Sequence, residues 1–61
     1  MKTATLINVI NGVSVEVHAT TDHPASSYGR AVWVDNEGNA YFEVDSQIPN
    51  PFYQITNIRD Q

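Results

Sequence analysis

Asp22 and His23 stand side by side in the stretch TTDHPASSYGR (residues 20–30), with Ser26, Ser27, Tyr28 and Arg30 close behind. These are the side chains of acyl transfer: a serine nucleophile, an imidazole to take its proton and a carboxylate to orient the imidazole. The spacing does not favour that use. Neighbours in extended chain point apart, so Asp22 is poorly placed to hold His23. ASSYG also lacks the glycine-serine-glycine spacing of a nucleophile elbow, and no oxyanion hole is evident. The plainer reading is turn chemistry, in which Asp22 and the serines bond nearby backbone groups and Pro24 stiffens the path. No catalytic residue is assigned.

His18, Asp22 and His23, with Asp35 further along, are the thin ligand set of a metal-assisted hydrolase. Two imidazoles and a carboxylate could hold zinc with one position open for water, but no recognised metal spacing is met. DNEGNAYFE (residues 35–43) has a calcium-loop flavour, yet Gly38 falls before Asn39 and the flanks are strand-like, so a hairpin turn explains it. No metal and no cofactor are expected.

Trp33, Tyr41 and Tyr53, with Arg30 nearby, could form a stacking platform for single-stranded nucleic acid. Charge opposes it: three Lys+Arg face seven Asp+Glu, a net charge of −4. A binder of phosphate backbone normally shows a basic track. Protein binding passes this test, because Trp33, Tyr41, Arg30, His23 and Tyr28 are of the types enriched at interaction hot spots and an acidic rim suits a basic partner. In size and charge alone, the chain is similar to small acidic phage-encoded inhibitors of host defence nucleases; no motif accompanies that likeness.

Strands carry most of these residues. TATLINVI and VSVEVHAT are rich in Thr, Val and Ile and flank Asn11-Gly12, a strong hairpin signal. A two-residue loop would pair Ile10 with Val13 and Leu6 with Val17. One face is then Ala4, Leu6, Ile10, Val13, Val15, Val17 and Ala19; the other carries Ile7, Val9, Glu16 and His18. A second hairpin, RAVWVDNEGNAYFEV, turns at residues 36–38, with Gly38 left-handed, Asp35 opposite Asn39 and Trp33 opposite Tyr41. Val32, Val34, Ala40, Phe42 and Val44 would form its core face, with Trp33 and Tyr41 on the open one. Pro49 and Pro51 prescribe an irregular corner, and FYQITNI a short fifth strand. Residues 20–30 become an ordered crossover between hairpins, with Tyr28 packed over an end of the sheet.

The expected fold is therefore all-β, one domain over residues 1–61: a five-stranded antiparallel sheet or partly open barrel built from two hairpins and a C-terminal strand. A domain this small buries only about 60% of the surface its unfolded chain exposes, and its core rarely supplies more than about 3–5 kcal/mol. With no cysteine, neither disulfides nor thiolate zinc can staple it. Oligomerisation is the staple left, and apolar residues on both faces of each hairpin agree with it; Ile7, Val9, Trp33 and Tyr41 are the expected oligomer interface. Asn8 and Asn11 interrupt the apolar run near the start, so neither a signal peptide nor a membrane span is expected, and a cytoplasmic location is the default. The expected function is a self-associating acidic interaction module of inhibitor or adaptor type, without catalytic activity of its own. The alternative is a nucleic-acid-binding or -processing protein, including a phage- or mobile-element-encoded inhibitor of a host defence nuclease.

Overall fold

The computed structural model describes residues 1–46 and 51–60. Five strands, β1 (Lys2–Asn8), β2 (Ser14–Thr20), β3 (Val32–Asp35), β4 (Ala40–Glu43) and β5 (Tyr53–Asp60), form one open antiparallel sheet in the order β4-β3-β2-β1-β5. Residues 47–50, with Pro49 of the expected corner, lie outside the described residues.

The first hairpin closes earlier than Asn11-Gly12 alone implies. Asn8 Oδ1 accepts the N–H groups of Ile10 (2.9 Å) and Asn11 (3.3 Å), Gly12 N–H bonds the Asn8 carbonyl (2.8 Å), and Asn11 Oδ1 takes the Val13 N–H (2.9 Å). Two asparagine side chains thus stand in for backbone partners and stabilise a four-residue loop, residues 9–12, in which Gly12 has φ +74°. Leu6 consequently faces Val15 and Ala4 faces Val17, two residues from the expected register. A slip of two keeps every side chain on its side of the sheet, because side chains alternate with period two. Ala4, Leu6, Val15, Val17 and Ala19 therefore still share a face, while Ile10 and Val13 leave it for the exposed turn.

The second hairpin turns as its sequence predicts: Asp35 N–H donates to Asn39 O (3.0 Å), Gly38 N–H to Asp35 O (3.2 Å), and Gly38 has φ +87°. Its faces differ from expectation. The β2–β3 register sets Ala19 against Trp33 and Val17 against Asp35, which places Trp33 on the side of Leu6 and Val17. Trp33 is 1% exposed and forms the core cluster with Ala4, Leu6 and Val17. Between Val32 and Val34 the β3–β4 register shifts, setting both Tyr41 and Phe42 against Trp33. This bulge turns Phe42 and Val44 towards the core on the Trp33 side, where Tyr41 already packs. Val32 and Val34 are also buried, although they lie on the opposite side of β3.

Tyr41 on β4 and Tyr53 on β5 belong to the two edge strands, which a flat five-stranded sheet would hold about 19 Å apart. Their rings meet edge to face with centroids 5.3 Å apart, so the sheet curls strongly around its core without closing.

Candidate interaction surfaces

The crossover, residues 21–31, spends its reactive-looking side chains on its own backbone. His23 Nδ1 accepts the Ala25 N–H (2.9 Å), which leaves the ring proton on Nε2 to be donated to Gly38 O (2.8 Å). Both nitrogens are thereby occupied, and the crossover is fastened to the β3–β4 turn. Ser26 Oγ donates to Arg30 O (2.6 Å), and the Asp22 N–H donates to Thr20 Oγ1 (3.0 Å). His18 sits on β2 against Thr3 and Val34. Among the described residues, no group of three or more His, Asp or Glu side chains is placed to hold a metal.

At the crossover's tip, Arg30 N–H bonds Ser27 O (3.0 Å) around Tyr28 (φ +54°) and Gly29 (φ +72°). Two successive left-handed residues make this a type I′ turn, whose first central position suits Gly, Asn or Asp. A tyrosine there costs about 1–2 kcal/mol, and ordinarily a buried ring would offset that strain. Tyr28 is instead 96% exposed, so it does not pack over the sheet end as expected. Beside it, the exposed Arg30 lies 3.6 Å from Glu43, a surface pair of small energetic weight.

Asp35 is the polar hub of the second hairpin. Its Oδ1 accepts the N–H groups of Glu37 and Asn39 (both 2.9 Å), while Oδ2 accepts Asn39 Nδ2 (3.2 Å) and the Tyr41 hydroxyl (2.9 Å). The Asn39 backbone bond leads in holding its carboxyl down at about 2; burial opposes this, and the Tyr41 and Asn39 side chains and the Glu37 N–H reinforce it. Burial, followed by that bond to Asp35, pushes the Tyr41 hydroxyl up to about 12.

The aromatic residues expected on an open surface are therefore differently placed. Trp33, Tyr41 and Tyr53 do gather, but in and against the core, because the β2–β3 register aims Trp33 inward. They do not form an open stacking platform. The expected oligomer interface is likewise split: Ile7 pairs with Ser14 on the side of the sheet away from Leu6, and Val9 N–H bonds Phe52 O (3.0 Å) at the turn end, whereas Trp33 and Tyr41 face the core.

Sequence reading missed the surface that the first turn presents. With Asn8 and Asn11 bonded inward, it shows water Val9, Ile10 and Val13, joined by Phe52; Ile10 is 73% exposed. The signal was available in Asn8, whose spacing from Asn11 fits a side-chain-capped loop better than a two-residue turn. On the side of the sheet away from the core, a second bulge at Asn57 (φ +55°) sets Arg59 opposite Thr3. There Arg59 Nη2 reaches Glu16 Oε2 at 2.9 Å, and Thr5 Oγ1 donates to Glu16 Oε1 at 2.7 Å.

Among the described residues, no helix is long and apolar enough to cross a membrane. The chain matches no known protein family, no curated protein and no solved structure.

Proposed function

We propose that this protein is a small acidic interaction module of inhibitor or adaptor type, working by docking rather than by catalysis. The observation that carries this reading is Tyr28. A left-handed tyrosine with its ring in water burdens the fold without packing into it, and such backbone strain is characteristic of functional sites. Tyrosine is also a preferred anchor at protein interfaces, since it brings a large rigid surface with few rotamers to freeze. Arg30 beside it supplies a charged contact, and His23 fixes the loop before any partner arrives, which lowers the entropy lost on binding.

The test is affinity capture from the native host's lysate, with and without nuclease, comparing the natural chain with Tyr28→Gly. Glycine relieves the strain, so the variant is expected to be about 1 kcal/mol more stable while losing the captured partner. An unchanged captured set, or one that disappears with nuclease, contradicts the proposal.

Self-association rests on a separate observation, the apolar group Val9, Ile10, Val13 and Phe52 on a turn already held by Asn8 and Asn11. It carries no charge, so two copies of a −4 chain can meet there. Sedimentation is expected to show concentration-dependent association that Ile10→Asp removes. A natural chain that remains monomeric at the highest attainable concentration ends this part of the proposal.

A further inference from the structure

β2 outruns its neighbour. Its ladder with β3 begins only at Val17 opposite Asp35, and beyond Asp35 the chain swings away into the 36–39 turn. Residues 14–16 of β2 are paired with β1 on one side and border an open cleft of about 590 Å³ on the other. That volume lies in the range of binding sites, about 300–1,000 Å³.

The backbone direction at Ser14 follows from the first turn. Asn8 N–H donates to Val13 O (2.9 Å), so Val13 directs its carbonyl towards β1. Successive residues of an antiparallel strand alternate in this respect, so Ser14 turns its N–H and C=O away from β1 and towards the cleft. No residue of β3 pairs with it there. Val13, Val15 and Tyr41 contribute apolar surface to the lining, and Glu16, Asp35 and Glu37 its charge; among the described residues no Lys or Arg lines the cleft. Glu16 already shares its carboxylate with Arg59, while Glu37 stands exposed on the turn.

We infer that this cleft receives an extended Lys- or Arg-bearing segment of a basic protein, which adds a short strand to the edge of β2 at Ser14. An unpaired donor and acceptor on a strand edge are met by another extended backbone, the general mode of strand addition. The negative lining selects for cationic side chains on that segment and opposes both nucleic acid and a second copy of this acidic chain. The surface is separate from Tyr28, so the two proposals can fail independently.

The test is an NMR titration of the full ¹⁵N-labelled chain with a short peptide of alternating lysine and valine, and with its glutamate-valine counterpart. Amide shifts are expected at residues 14–16 and 36–39 for the lysine peptide alone, diminishing as salt is raised. Glu37→Lys, on an exposed turn, is expected to weaken binding about fivefold through its charge. Ser14→Pro deletes the N–H that points into the cleft at the first residue of the strand, where proline is tolerated, and is expected to weaken it about as much. Tyr28→Gly is expected to leave the titration unchanged. Shifts scattered over the molecule, equal shifts with the glutamate peptide, or full affinity in Glu37→Lys would each overturn the inference.

Discussion

β3 has four residues and all of them are buried; β5 has eight and seven of them are exposed. Each contains apolar residues in a short run, VWVD in one and YQITNIRD in the other. The difference lies in what flanks them. β3 pairs with β2 and β4 and places Trp33 in the core, whereas β5, among the described residues, pairs with β1 alone and leaves Ile55 and Ile58 partly in water. Composition marks a segment as strand; its place in the sheet order determines how much stability it contributes.

Truncating one residue from each strand tests this difference most directly. Trp33→Ala is expected to remove about 3–5 kcal/mol, as much as a domain of this size possesses, and so to abolish the cooperative unfolding transition seen by circular dichroism. Ile58→Ala should lower the unfolding free energy by only about 0.5 kcal/mol. Comparable losses from the two would mean that β5 shares the core on equal terms. Trp33→Phe separates packing from polarity: the buried indole N–H has no hydrogen-bond partner among the described residues, so deleting it while keeping an aromatic ring should be far milder than truncation.

The next effect is at the end of β3, where Asp35 gathers its four donors. Asp35→Asn should be clearly less stable than the natural chain at neutral pH. Because the folded carboxyl titrates at about 2 against an ordinary 3.8, the ionised form's contribution is complete above about pH 4 and is lost as pH falls through about 2. Denaturation curves of the two proteins should therefore converge with acidification, and a pH-independent difference would refute the account.

Tyr41 tests the same hub from the alkaline side. Its hydroxyl is raised from 10.0 to about 12, so the neutral form's contribution is intact below about pH 10 and declines as pH rises through about 12. Tyrosinate absorbance should show the Tyr41 ring ionising late, and Asp35→Asn should bring it earlier. The smallest expected change is on β5: Asn57→Gly relieves a left-handed asparagine but loosens the unfolded chain, leaving thermal stability within about 0.5 kcal/mol.

These contrasts also mark how far the sequence could be read. The turn at Gly38 was legible because Asp35, Asn39 and the glycine act within five residues. All five strands were legible from their β-branched and aromatic content. Which side Trp33 takes was not, because VWVD is apolar on both sides and the choice falls to the pairing of Ala19 with Trp33, which no local pattern encodes. Residues 20–30 were legible as an ordered crossover, whereas the exposure of Tyr28 follows from the left-handed turn at its tip. The open cleft depends on where β3 stops pairing with β2, a property of neither strand alone.

The two bulges bear on how copies of this chain can meet. One lies on β4 and the other on β5, the two outer strands of the sheet. A regular outer strand invites another molecule to continue the ladder, and repetition of that step builds fibres. Here each border is interrupted by one surplus residue, so neither offers a neighbour an unbroken row of partners. Continuation of the sheet from copy to copy is thereby opposed at both borders, and the proposed self-association falls instead to side chains of the first turn.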